Sequence, residues 1–140
     1  MSAPSFLFSL VSFGVGYLGR LLSFRNLLYL ILVALLGFAV DGLFYVFNVI
    51  SFPNYNLVYP PVWLLALWFL FVSVLPLMET FFHNRLLLSS ILAAIFGPLS
   101  YYAGASFQVL YFTSHISFIA YILFWGISFP VMIYFQRKFK

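Results

Sequence analysis

The chain has no cysteine, and only two of its 140 residues are acidic, Asp41 and Glu79. Without thiols there is no disulfide, no thiolate nucleophile and no cysteine-held metal or iron–sulfur centre. Six Lys and Arg complete the charged set, which makes 6% of the sequence against roughly 25% in soluble domains. A water-facing surface cannot be built from so few charges, which excludes a soluble enzyme or a disordered tail. A nucleic-acid-binding domain is excluded too, because it needs many cations in one patch. The pI of about 9.5 reflects only the imbalance of six bases to two acids. Also missing are a Gly-rich phosphate loop, a Ser-centred nucleophile elbow and a paired-His zinc helix. No internal repeat stands out in the sequence.

What the chain does have is hydrocarbon. Hydrophobic residues make up 66% of it, 20 residues are Phe, and mean hydropathy is +1.15. A bilayer core about 30 Å thick takes roughly 20 apolar residues at 1.5 Å rise each. Five apolar runs are candidates: Phe6–Leu22, Leu27–Ile50, Val62–Phe82, Leu86–Val109 and Ile116–Phe135. The polar–apolar alternation of a membrane β-strand is absent, and backbone groups in lipid must bond internally, so helices remain. The expectation is an all-α, polytopic transmembrane helix bundle of five spans, forming one domain over residues 1–140 with no soluble part. The first run is the weak one. Its uncharged stretch, 6–19, holds Gly14, Gly16 and Gly19, and would reach only about 21 Å as a helix. It crosses only if Arg20 snorkels to the headgroups; if it is re-entrant, four spans remain. No Lys or Arg precedes it, which argues against a cleaved signal peptide.

Lys and Arg gather in short cytoplasmic loops. Five spans put Arg20, Arg25, Arg85, Arg137, Lys138 and Lys140 on one side and no Lys or Arg on the other. The carboxyl terminus is therefore expected in the cytoplasm, and the amino terminus in the periplasm if all five runs cross. Tyr55, Tyr59, Trp63, Tyr111 and Phe112 then fall near the outer interface, and Tyr17, Phe24, Tyr29, Tyr134 and Phe139 near the inner one. The loop Ser51–Pro61 carries three prolines and reads as an interfacial turn.

Asp41 is the most unusual position. It lies about 13 Å inside the outer end of the second run, where an acid costs about 2.5–3.5 kcal/mol and usually faces the bundle interior. Tyr45 and Asn48 follow on the same helical face, and helical side chains lean so that Tyr45 can reach back to the carboxyl. The three form a candidate intramembrane polar site, either a proton-carrying or substrate-binding carboxyl, or a hydrogen-bonded acid that fixes packing. Glu79 and His83 are spaced as an acid orienting an imidazole, or as an interfacial charge cluster closing a helix. His83 and His115 fall on opposite sides of the membrane, so no metal site is expected, nor any cofactor. In the fourth run Ser90, Ala93, Gly97, Ser100 and Gly104 form a stripe of small residues that permits close helix approach. Pro98, with Tyr101 and Tyr102 one turn on, marks a kink or a broken helix lining a cavity.

Three stretches carry a resemblance: LLGFAVDGLFYVF with Asp41, PPVWLLALWFLFVSVLPL with Trp63 and Trp68, and ILAAIFGPLSYYAGASF with Gly97, Pro98, Tyr101 and Gly104. They resemble the bacterial inner-membrane domain-of-unknown-function family 2878, over about Ala34 to Tyr134. The resemblance implies a multipass protein of the bacterial inner membrane and brings no established activity. Family members often lie near genes for lipid acyl-chain modification. The family usually has a longer region before its acidic residue, and tends to have glycine where this chain has Gln108.

The function expected is a non-enzymatic accessory or partner subunit in the lipid bilayer, with a membrane-protein partner or as a homo-oligomer, and no nucleic acid. One alternative is a small carrier or proton-coupled transporter using Asp41. The other is a membrane enzyme linked to lipid modification, using Glu79 and His83 or Asp41 as acid and base.

Overall fold

The apolar runs close into helices, and the short polar breaks between them set where each helix stops. In the computed structural model, which describes residues 3–139, these are α1 (Ala3–Leu21), α2 (Phe24–Val46), α3 (Val62–Phe82), α4 (Leu86–Ser106) and α5 (His115–Phe139). Helices α2 to α5 are each long and apolar enough to cross a membrane. Helix α1 forms, but it is not among the candidate spans, so the described residues hold four. Ser23 separates α1 from α2 by capping the latter, its hydroxyl oxygen accepting the Asn26 N–H at 3.3 Å.

Two helices end earlier than hydropathy alone implies. Helix α2 stops at Val46, not Ile50, because Asn48 turns left-handed at φ 58°. The Asn48 N–H then donates to Tyr45 O at 3.1 Å and the Val49 N–H to Phe44 O at 2.7 Å. Helix α4 ends in the same way. Gln108 has φ 59°, its N–H donates to Ala105 O, and Val109 N–H donates to Gly104 O. Both are Schellman caps, which satisfy the last carbonyls of a helix. Asn tolerates this backbone because its short side chain can bond locally; Gln108 has no such relief. It occupies a position that glycine would fill without strain.

Each cap feeds a two-residue strand, β1 (Ile50–Ser51) and β2 (Tyr111–Phe112). The strands pair antiparallel, Ile50 opposite Phe112 and Ser51 opposite Tyr111. The chain thus repeats one unit, an apolar helix, a left-handed cap, a strand and a second helix: α2–β1–α3, then α4–β2–α5. The repeat is partly visible in the sequence: Arg25, Leu27, Leu28, Ile31, Leu32, Ala34 and Gly37 recur sixty residues on as Arg85, Leu87, Leu88, Ile91, Leu92, Ala94 and Gly97, and Phe47 and Val49 recur as Phe107 and Val109. It survives in the packing. A Cβ on Gly37 would lie 2.4 Å from the Trp68 ring, and one on Gly97 would lie 2.2 Å from Trp125. Each hairpin therefore closes by seating a tryptophan on a glycine. The two indoles stack on each other, centroids 5.5 Å apart and planes 5° from parallel, where α3 meets α5 at the bundle centre. An antiparallel strand pair and a face-to-face ring pair are both what a two-fold relation between the hairpins produces.

Contacts within each hairpin are extensive, whereas α3 with α4 and α2 with α5 touch sparingly. A cleft is left at each of these junctions, each of about 390 Å³. The α2–α5 seam is tied by Asn26 and Gln136, both fully buried, with the Gln136 amide donating to Asn26 Oδ1 at 2.6 Å. Tyr29 adds a hydrogen bond to Met132 O at 2.7 Å.

Gly97→Ala and Gly37→Ala should each lower stability by about 1–3 kcal/mol, because the new methyl overlaps an indole that cannot retreat. Gly14→Ala, whose Cβ meets nothing within 4 Å, should be neutral or mildly stabilising. Gln108→Gly should stabilise by about 1 kcal/mol through relief of the left-handed backbone. Thermal unfolding of purified protein in detergent micelles checks all four.

Candidate functional site

Asp41 sits five residues before the end of α2, so it lies only about 8 Å inside that helix, the early cap having shortened the depth read from hydropathy. Its carboxyl is fully buried. The Trp68 Nε1–H donates to Oδ2 at 2.7 Å, and the Tyr121 hydroxyl donates to Oδ1 at 2.9 Å. The Tyr101 hydroxyl reaches both oxygens, at 3.0 and 2.9 Å. Each partner comes from a different helix, α3, α4 and α5, so one carboxyl group bonds to every other candidate span. The periodicity explains why they meet: all three lie at the depth of Asp41 in their own helices, counted from the strand end. In the repeat, Tyr101 occupies the place in α4 that Asp41 occupies in α2.

Among the described residues no cation joins this cluster; the ion pair of His83 with Glu79 lies at the other end of the bundle. An acid in a low-dielectric interior needs either a cation or several donors, and here it has three neutral donors. The indole N–H can only donate, so Oδ2 is an acceptor whatever the tyrosine protons do. Aromatic rings seal the group. Tyr101 and Tyr121 lie 4.3 Å apart by centroid, and Phe44 lies 4.7 Å from Tyr121. Chemically, the arrangement can fix a charge or a polar group in place and lock four helices to it.

The other residues singled out by sequence are placed as follows. Tyr45 does not turn to Asp41; its hydroxyl donates to Leu57 O at 2.7 Å, because the 52–61 loop folds back over the helix end. Asn48 is not on the helical face at all, being the left-handed cap, and its carbonyl accepts from the Thr113 hydroxyl. The small stripe of α4 is used against the neighbouring α5. Ser90 Oγ donates to Gly126 O at 2.5 Å, Ala93 is buried, Gly97 receives Trp125, and Gly104 lies under Leu110. Ser100 faces the α3–α4 cleft, its hydroxyl bonded to Gly97 O at 2.6 Å. Pro98 does not break the helix, since α4 is continuous from Leu86 to Ser106.

Glu79 and His83 do come together, Oε1 to Nδ1 at 2.5 Å, with Glu79 buried and the imidazole about half exposed. They line a hollow of about 300 Å³ with Arg20, Thr80 and Arg137, and the Arg137 guanidinium donates to the His83 carbonyl. This cluster gathers the ends of α1, α3 and α5. His115 begins α5 at the opposite end of the bundle from His83, and among the described residues no three metal-ligating side chains gather.

Sequence reasoning missed Trp68 and Tyr121 as partners of Asp41, and missed the Asn26–Gln136 pair. The available signal was the acid itself. With no cation in any other run, its donors had to be Trp, Tyr or amide side chains at matching depth.

The family model described as a protein of unknown function (DUF2878) matches residues 4–131, and so takes in nearly all of α1, the spans α2 to α4 and the first two thirds of α5. No curated protein and no solved structure matches the chain.

Replacing Asp41 by Leu should strand three buried donors and cost several kcal/mol, enough to abolish a cooperative thermal transition in detergent. Asp41→Asn keeps one acceptor oxygen and should lose less. Tyr121→Phe removes one hydrogen bond between membrane helices, worth about 0.6–1.7 kcal/mol, and Trp68→Phe should lose more, because it also gives up part of the indole seated on Gly37. Tyr45→Phe should have little effect. The same melting assay ranks the series.

Proposed function

The chain belongs to the DUF2878 family, described without an activity, and from its own geometry we propose that it is a non-enzymatic accessory or partner subunit of a membrane assembly. The observation that carries this reading is the Asp41 cluster. Both carboxyl oxygens are bonded to side chains of the chain itself, and each of the three partners stands on a different helix. A working acid or base needs at least one face turned toward a reactant or a water path. This carboxyl is spent on architecture. What is left for function is the outer surface of a small, internally locked bundle, nearly all of it hydrocarbon.

The setting of this reading is the bacterial inner membrane, with the Arg- and Lys-bearing end of the bundle in the cytoplasm. Arg20, Arg25, Arg85, Arg137 and Lys138 all lie at the end opposite the β1–β2 pair, and that asymmetry favours a cytoplasmic carboxyl terminus.

The repeat favours one other reading, a small carrier. Transporters of several folds are built from parallel repeats, with the substrate site between them near the bilayer midplane. Here the two hairpins meet at Trp68 and Trp125, beside Asp41. In a carrier, Asp41→Asn would abolish transport in a variant that still inserts and melts cooperatively.

Purification from membranes in mild detergent, followed by mass measurement, should recover the chain with a stoichiometric partner or as a homo-oligomer. A clean monomer with a turnover of its own would overturn the subunit reading. For the orientation, an impermeant amine reagent should label Lys138 only after the inner membrane is breached; labelling of intact spheroplasts would reverse it.

A further inference from the structure

The chain has two acidic side chains, and both are engaged, Asp41 by its three donors and Glu79 by His83. The cations at the end opposite the β1–β2 pair are not spread evenly around it. Arg85 lies over the Phe81 ring, and Arg137 donates to the His83 carbonyl. Arg20, Arg25 and Lys138, from α1, α2 and α5, converge instead on one hollow of about 480 Å³. All three are exposed, and among the described residues no acid lines that hollow. The Arg25 guanidinium rests 5.5 Å from the Phe139 ring centre, and the Lys138 ammonium 4.8 Å from that of Tyr134 and 5.5 Å from that of Phe135. Orientation in the membrane accounts for cations standing at this end. It does not account for three of them sharing one hollow.

The hollow lies at the foot of the α2–α5 seam, directly below the apolar cleft of about 390 Å³ there. The two share a wall: Phe139 of the hollow stacks on Tyr29 of the cleft, centroids 4.9 Å apart and planes 8° from parallel. Helical spacing places Arg25 on the face of α2 that carries Tyr29, Leu36 and Val40. The same spacing places Lys138 on the face of α5 that carries Phe124, Val131 and Phe135. Each helix thus sets a cation one turn beyond the end of the cleft. From Tyr29 to Val40 the cleft runs about 16 Å, which is one leaflet's share of a hydrocarbon core about 30 Å thick. Leu36 and Ile127 on its rim are each 66% exposed, so it opens outward to acyl chains.

We propose that the α2–α5 seam binds one anionic phospholipid, with its phosphate on Arg25 and Lys138 beside Arg20 and one acyl chain in the cleft. Basic pockets between membrane helices at the headgroup level bind lipid phosphates in this way. The arrangement selects a lipid over a free phosphate, because the cations continue into a hydrocarbon cleft that only an acyl chain fills. It selects an anionic lipid over a zwitterionic one, because a choline or ethanolamine head would bring a fourth cation against three. The site requires neither a partner subunit nor transport, so it stands apart from both functional readings.

The probes are dioleoylphosphatidylglycerol, dioleoylphosphatidylcholine and glycerophosphate, titrated into the purified full chain in maltoside micelles, with bound molecules per chain counted by native mass spectrometry. One phosphatidylglycerol should bind per chain, about tenfold more tightly than phosphatidylcholine. Glycerophosphate should neither bind nor compete. Arg25→Gln and Lys138→Gln should each cut the preference several-fold, and together they should erase it. Both side chains are exposed, so the variants should still melt cooperatively. Arg25→Lys should keep the preference. Arg85→Gln, which removes the same charge from the same end, should leave it intact. Ile127→Trp, which fills the cleft, should weaken binding of both lipids. Equal affinity for the two lipids, competition by glycerophosphate, a preference that persists without Arg25 and Lys138, or an equal loss in Arg85→Gln would overturn the proposal.

Discussion

A carboxyl group inside hydrocarbon is tolerated only when its surroundings supply what water would, and the rest of this fold is arranged around that requirement. Asp41 draws one donor from each of the other three candidate spans. Hydrophobic burial cannot by itself choose one arrangement of greasy helices in lipid, because lipid is as apolar as the helix surfaces. Packing fit and directional polar bonds have to make the choice. Glycine–tryptophan contacts fix each hairpin, and the Asp41 cluster fixes the hairpins to each other. The Asn26–Gln136 pair repeats the device at a second depth along the α2–α5 seam.

The ends of the bundle are finished in different ways. At one end the caps at Asn48 and Gln108 hand the chain to β1 and β2, whose pairing gives the exposed backbone groups partners without further helix. At the other end charge does the closing, through Arg20, Glu79, His83 and Arg137. The middle is held by aromatic stacking and by hydrogen bonds from uncharged donors. This division follows the environment, since ionic clusters are cheap near headgroups and costly at depth.

Much of the architecture was legible in the sequence because it depends on run length. The four long apolar runs and their order follow from the thickness of a bilayer, and the weakness of the first run showed in its glycines and in Arg20. The helix ends were less legible. Asn48 and Gln108 interrupt α2 and α4 by backbone conformation, which hydropathy does not register. Asp41 stood out, but its partners did not, because Trp68 and Tyr121 look like ordinary aromatic residues in sequences full of them. Only the joint depth of the four residues sets them apart. Tyr45 was drawn to Asp41 by periodicity and in the fold was claimed by a loop carbonyl, a tertiary contact that no local pattern contains. The internal repeat was overlooked although Arg25–Gly37 and Arg85–Gly97 share seven of thirteen residues, because leucine and isoleucine matches stand out little in a chain this apolar and the second helices of the hairpins carry no such run.

The correspondence of Asp41 in one hairpin with Tyr101 in the other has a consequence for biogenesis. Acceptor and donor stand at equivalent places, so the two halves are complementary rather than interchangeable. Two first halves would bring two acids together, and two second halves would bring donors with no acceptor. Each first half therefore has an intrinsic reason to pair with a second half. While the ribosome is still making α4, Asp41 has only Trp68 for company. The emerging protein is then least content in the membrane at the moment when the remaining hairpin is about to supply what it lacks.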